Sequence, residues 1–287
     1  MPLDSLTGRA YGPHPFRVCA DKVTEYLLAT GDDPARWNHF APPTYASLAL
    51  FNVAPAFLED PQVAPFTRVL VHADQTFRWY LPWALEEVLS VRGMVERIRA
   101  RGSSYFVTFT MTVDNAAGER ALDSSSTFVM SSESPETEPE EESEPPVTVR
   151  ARNEVPAPAP LPAVQEALPE LAKSASRADL VRYAGATRDW NPIHFDHDAA
   201  VAAGLPGVVV HGLLMTAWAA QAATRLVSRP LPLTEARFRF RAPLRPGQPA
   251  VVTGVVEADD GKEASIKAKV VAGDLERVTA TMIVRRT

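Results

Sequence analysis

Arg188-Asp-Trp-Asn-Pro-Ile-His-Phe-Asp196, followed by Gly204-Leu-Pro-Gly-Val-Val-Val-His-Gly-Leu-Leu-Met215, places an acid, an amide and an imidazole around a proline, then a His-Gly pair that opens a long apolar run. Asp189 and His194 stand five apart with Pro192 between them. Asn191 precedes the proline and is steered away from α conformation, so the segment is expected to be a bent loop rather than a helix face. Such a loop can aim Asp189, Asn191 and His194 at one point, where a carboxylate and an imidazole share a water and pass protons both ways. The same residues also suit an Asx turn that only shapes the chain. Asp189, His194, Asp196 and His197 lack a usual metal-ligand spacing, so no metal site is expected.

His211-Gly212 opens the apolar run Leu213–Val227. Its first turn would present free N–H groups, and glycine lets a ligand approach them closely. Those donors suit an oxygen gaining negative charge. The alternative is that Gly212 serves packing and His211 is a hydrogen-bonded structural histidine. Tyr183 lies six residues before Asp189 and is either core or a weak substrate contact. Arg237, Arg239 and Arg241 alternate along an expected strand and share a face, which is either solvated or meets a phosphate-bearing substrate.

Outward from this stretch, Ser176 and Asp179 form a capping-box start for a helix running to about Ala184. Asp196–Ala203 is expected to be a short helix stopped by Gly204 and Pro206. The Leu213–Val227 helix is apolar on nearly every face and must be enclosed on most sides. Strands are expected over Ala236–Ala242, Ala250–Val256, Ala264–Val271 and Arg277–Arg285.

The N-terminal half follows the same plan. Residues 1–20 look irregular. Asp21–Gly31 is expected to be a helix capped by Asp21 and ended by Gly31. Pro42–Glu59 is expected to be helical and broken near Pro55. The strands are Gln75–Leu81, Val88–Ala100, Tyr105–Asp114 and Ala121–Met130, with a turn at Asn115–Gly118. Three stretches echo each other in order: Ala29-Thr-Gly-Asp32 with Ala186-Thr-Arg-Asp189, Val69-Leu-Val-His-Ala73 with Val208-Val-Val-His-Gly212, and Phe77-Arg-Trp-Tyr-Leu-Pro82 with Phe238-Arg-Phe-Arg-Ala-Pro243. Together they indicate an internal duplication.

Between the halves, residues 131–160 are Ser, Glu and Pro with little apolar content and should be a linker. The expected division is therefore 1–130, linker 131–160, and 161–287. The net charge of −6 is concentrated there: residues 131–149 hold seven Glu and no Lys or Arg, leaving −6 + 7 = +1 for the rest. A near-neutral remainder argues against a nucleic-acid partner. No apolar run is long enough to span a bilayer. The opening MPLDSLTGRA lacks the form of a secretory signal, and Cys19 is the sole cysteine, so a cytoplasmic location is expected.

Taken as one string, Tyr183-Ala-Gly-Ala-Thr-Arg-Asp-Trp-Asn-Pro-Ile-His194, Ala203-Gly-Leu-Pro-Gly207 and Val210-His-Gly-Leu-Leu214 resemble the hydratase-2 motif of the MaoC-like dehydratases, (R)-specific enoyl-thioester hydratases. The resemblance implies an α+β double hot-dog: two antiparallel sheets, each wrapping a central helix. It implies that Asp189 and His194 hold the reacting water, that Asn191 supports them, and that the backbone N–H of Gly212 binds the thioester oxygen. Tyr183, His211, Arg237 and Arg239 are weaker substrate-contact candidates. The implied substrate is an acyl-CoA thioester, or alternatively an acyl-carrier-protein thioester; no cofactor is implied, and a homodimer is compatible. A non-catalytic acyl-binding subunit is the reading from another class. The N-terminal half departs from the motif, with Trp37 five residues after Asp32 and Val71-His72-Ala73 in place of Val-His-Gly. It is expected to be a degenerate hot-dog lining an acyl tunnel.

Overall fold

A computed structural model describes residues 3–133 and 153–286. Its N-terminal half comprises β1 (Ala10–Arg17), α1 (Ala20–Thr30), α2 (Ala46–Leu58), β2 (Val69–Trp79), β3 (Val88–Arg101), β4 (Ser104–Asp114) and β5 (Arg120–Ser131). The C-terminal half comprises β6 (Leu171–Lys173), α3 (Arg177–Thr187), α4 (His197–Ala202), α5 (Gly212–Thr224), β7 (Leu233–Phe240), β8 (Ala250–Asp259), β9 (Glu263–Ala272) and β10 (Leu275–Arg285). Among the described residues no helix is long and apolar enough to cross a membrane.

The expectation of two separate sheets needs correction. The strands form one continuous ten-stranded antiparallel sheet in the order β1-β3-β4-β5-β2-β7-β10-β9-β8-β6. The two halves fuse where β2 pairs with β7. A hot-dog sheet standing alone would leave this inner strand as an open edge, a row of unpaired N–H and C=O groups. Pairing β2 with β7 satisfies both edges at once.

The order reads as the same five-strand arrangement twice, reversed about that seam. The register supports a two-fold relation. The sequence echo aligns Phe77 with Phe238 and hence Gln75 with Ala236, while the seam pairs Gln75 with Phe238 and Phe77 with Ala236. That crossed pairing is what a two-fold axis between the strands requires.

α5 has almost no polar face, and its residues Leu213 to Thr224 are all buried. The curved sheet covers it through β7, β8, β9 and β10, which removes its apolar surface from water on all sides. α2 occupies the matching place in the other half but leaves Phe51, Pro55 and Leu58 only half-buried. α2 is not broken at Pro55 as expected; it continues to Leu58. The proline lies in the last turn, where its ring and missing N–H disturb only one helical bond.

Three further expectations are revised. Residues 10–17 are not irregular: they form β1, paired with β3. Cys19, not Asp21, is the N-cap residue of α1, and Asp21 falls in the first turn. Val69–Ala73 is not the counterpart of Val208–Gly212, because it belongs to β2 and pairs with β5. The residue that precedes α2 as His211 precedes α5 is Tyr45. Short apolar runs ending in His are equally compatible with a strand and a helix entry, and only tertiary pairing separates them.

Other local readings match. Ser176 and Asp179 form a reciprocal capping box, and Gly31 ends α1 in left-handed conformation. Of the linker, residues 134–152 lie outside the described residues. Residues 153–160 are extended and tied down: Glu154 N–H donates to Ala172 O at 2.9 Å, and Ala159 N–H to Arg225 O at 3.1 Å.

Candidate active site

α3 and its partner α1 end alike. Thr187 Oγ1 donates back to Tyr183 O at 2.7 Å, as Thr30 Oγ1 does to Tyr26 O at 2.9 Å. Each helix then stops in left-handed conformation, at Arg188 and Gly31, both with φ of 65°. The bend turns the next residue, an aspartate in both halves, back toward the protein. From there the halves diverge. Trp37 Nε1 donates to Asp32 Oδ2 at 3.1 Å, and Arg36 pairs with the same carboxylate at 3.5 Å. Asp32 is thus consumed by structural bonds. His194 stands five residues on, where Trp37 stands after Asp32, and the Asn191 backbone N–H bonds to the Asp189 carboxylate.

Pro192–His194 form one 3-10 turn with Asn191 as N-cap. The Asn191 side chain accepts from Ile193 N–H at 3.4 Å and donates to Leu70 O at 3.3 Å. It therefore closes an Asx turn and also ties the loop to β2 of the other half. The turn-shaping and the site-supporting expectations describe one side chain.

His194 is buried. Its Nδ1 lies 2.8 Å from Val209 O. A carbonyl only accepts, so Nδ1 carries the proton and Nε2 is left with a free lone pair. Burial pushes the His194 pKa down to about 4, with the Val209 carbonyl opposing. Burial pushes the Asp189 carboxyl up to about 7. Near neutrality the site therefore holds an unprotonated imidazole beside a carboxyl that is poised between its two forms.

Both residues line a cavity of about 650 Å³. Gly212 shares its wall at the start of α5, where N–H groups have no carbonyl of the helix within reach. A Cβ on Gly212 would fall 2.8 Å from Cε1 of the Phe240 ring, so only glycine fits without shifting that wall. The rest of the lining is largely apolar and comes from both halves: Leu50, Phe51, Ala54 and Leu58 of α2, and Met215 and Phe240 of the C-terminal half.

Tyr183 and His211 do not line this cavity. Both are fully buried behind it, with their rings 4.8 Å apart. Arg237 and Arg239 lie on the exposed sheet face and pair with Asp74 at 2.9 and 3.4 Å. Neither reaches the wall, although Arg241 does. His72 was missed as a wall residue because the sequence placed it at a helix entry. In β2 its ring sits 4.9 Å from Phe128 and 5.0 Å from Phe240, and it lines the cavity. Its one visible signal was the alternation Leu70, His72 along a strand.

Asp189, His194 and His211 bring ligand-type atoms within 4.8 Å of one another. The two imidazoles, however, stack at 3.8 Å with 23° between planes. A shared cation roughly 2 Å from each nitrogen must lie in the plane of both rings, and two nearly parallel planes this far apart do not meet within that reach. The cluster does not fit a metal ion.

Comparison with known proteins places the family and the fold. Residues 132–278 match the MaoC like domain. A UPF0336 protein of Saccharopolyspora erythraea is 32% identical over 152 residues, covering 47% of this chain and 97% of that protein. A solved MaoC-like dehydratase superposes with a TM-score of 0.83 at 24% identity, over 99% of this chain and 100% of that one. A conserved Mycobacterium tuberculosis protein described as a double hotdog fold superposes with a TM-score of 0.67 at 15% identity, over 97% and 96% of the two chains. The domain match covers just over half of the chain, and with two fused hot-dog units in the fold this chain belongs to the MaoC-like dehydratase family.

Proposed function

We propose that the chain adds water reversibly to a trans-2-enoyl-CoA, giving the (3R)-3-hydroxyacyl-CoA, at Asp189 and His194. The observation that carries this reading is the shared cavity. A free imidazole nitrogen, a carboxyl and a helix N-terminus with a glycine face one space whose other walls are largely apolar.

The chemistry follows from these groups. A water between Asp189 and His194 donates one hydrogen to the carboxylate and one to Nε2. Its oxygen bonds to C3 of the enoyl group while the C2–C3 π pair moves to the thioester oxygen. The Gly212 N–H holds that developing oxyanion. The proton taken by the dyad is then delivered to C2 on the same face, which restores both groups; dehydration is the reverse. The apolar lining excludes competing water and takes the acyl chain, and α2 supplies much of it from a half whose own aspartate is occupied. The expected division therefore persists as a proposal: an N-terminal unit that shapes the tunnel, and a C-terminal unit that carries the site.

The test is hydration of crotonyl-CoA, followed by loss of the conjugated thioester absorbance. A wild-type chain that binds crotonyl-CoA without turning it over would favour the acyl-binding reading instead.

The pH profile has a definite sign. The water needs acceptors, so the active form has Asp189 ionised and His194 neutral. kcat/KM is expected to rise as pH passes upward through about 7, where Asp189 loses its proton. On the acid side it falls further as His194 protonates near 4. Asp189→Asn should retain no limb near 7, and a limb that survives in that variant would assign it to another group.

A further inference from the structure

We propose that His211 is the positioning residue of this site, holding Asp189 and His194 at a fixed separation from behind the cavity wall. The proposal rests on the hydration reading above and adds a third residue to it. His211 is wholly buried, and it touches both members of the pair. Its Nε2 lies 3.3 Å from the backbone oxygen of Asp189. That oxygen can only accept, so Nε2 carries the proton. Its ring face lies 3.8 Å from the His194 ring, nearly parallel. The other side of His211 rests against Tyr183, 4.8 Å away. One imidazole thus fixes the main chain of one catalytic group and the ring plane of the other.

The N-terminal half shows why a histidine is used here. The position before its central helix is Tyr45, packed edge-on against Tyr26 at 5.5 Å. In that half the loop is pinned through the aspartate side chain itself, by Trp37 and Arg36. Pinning of that kind is not open to Asp189, whose carboxylate must stay free for water. A donor reaching the Asp189 backbone holds the loop without spending the carboxylate.

The arrangement also has a cost that packing alone does not explain. Among the described residues, Nδ1 of His211 is buried with no hydrogen-bond partner. A buried polar atom left unpaired is unfavourable, and an apolar ring of similar shape would avoid the loss. The retained imidazole is accounted for by the bond it makes on its other side. Burial disfavours the charged form of both stacked imidazoles, and His194 adds to this for His211, so both stay neutral. That keeps Nε2 of His194 available as an acceptor.

Two substitutions separate the contributions. His211→Phe keeps a ring against His194 and removes the donor. His211→Gln keeps an N–H near the Nε2 position and removes the ring face. With crotonyl-CoA as substrate, His211→Phe is expected to lower kcat by about ten- to hundredfold while KM changes less than about twofold, because misplacement affects the reacting geometry and not substrate uptake. His211→Gln is expected to recover part of that loss. An unchanged kcat in His211→Phe, with only Tm altered, would reduce His211 to a packing residue and overturn the proposal.

A second measurement does not depend on the variants folding or on turnover. Imidazole nitrogen NMR on the wild-type chain should show His211 neutral at pH 7 with its proton on Nε2, and His194 neutral with its proton on Nδ1. The opposite tautomer at His211, or a charged His211, removes the bond to Asp189 and the proposal with it. The two readings fail separately. Full activity in Asp189→Asn defeats the hydration assignment. An inactive Asp189→Asn beside a fully active His211→Phe defeats only the role of His211.

Discussion

Asp189→Asn is expected to lower crotonyl-CoA turnover by at least about a hundredfold, and His194→Ala by a similar factor. The Asn191 bond to Leu70 O and the backbone bond from Val209 N–H to Ile193 O hold the loop independently of either side chain, so the fold should persist in both variants. Asparagine keeps the shape of the aspartate but cannot take a proton from water. Alanine removes the acceptor nitrogen outright. Stability should move differently from activity. The folded-state pKa of Asp189 is raised, so its contribution to stability is greatest when the carboxyl is protonated and declines as pH rises toward about 7. At pH 8 the ionised carboxylate is a buried charge that the native state bears at a cost. Asp189→Asn removes that cost, so its Tm at pH 8 should equal or exceed that of the wild type. A residue whose loss stabilises and inactivates together is retained for chemistry. Near-wild-type turnover in either variant would remove the assignment, and circular dichroism melts at pH 8 check the stability half.

The second large effect is structural. Trp218 lies in the middle of α5 with no surface exposed, on a helix packed against β7, β8, β9 and β10. Trp218→Ala should cost about 3–5 kcal/mol, combining lost burial with a cavity that a closed sheet cannot collapse to fill. Set against a typical total of about 5–15 kcal/mol, this brings the chain close to unfolding. Urea denaturation should show a fall in midpoint. A loss below about 1 kcal/mol would mean that the sheet relaxes around the helix and that the enclosure is looser than its burial indicates.

Asn191 shapes a turn and anchors the loop to Leu70 with the same side chain. His211 is a structural histidine in the sense that it is fully buried, yet besides Tyr183 it contacts both proposed catalytic residues. Arg237 and Arg239 share Asp74 on the outer sheet face, as expected of a solvated strand face.

Local chemistry in the chain was sufficient for much of this. Ser176 with Asp179, Gly31, and Pro192 after Asn191 act within a few residues of themselves, and each took the conformation its own sterics and hydrogen bonds dictate. The apolar surface of α5 on every face required an enclosing sheet, wherever its strands came from. Long-range pairing was not encoded in that way. β1 carries Gly12, Pro13 and Pro15 and has no periodic pattern, so only its register with β3 makes it a strand. Val69–Ala73 and Val208–Gly212 are similar strings, sharing three of five residues, with different fates, because one pairs with β5 and the other leads into α5. The fusion of two sheets into one depended on β2 meeting β7, and His211 reached both Asp189 and His194 only once the loop folded over the start of α5. Local propensity acts within a few residues and can be read along the chain; strand partners and stacked rings are chosen by the free energy of the assembled whole, which no short stretch contains.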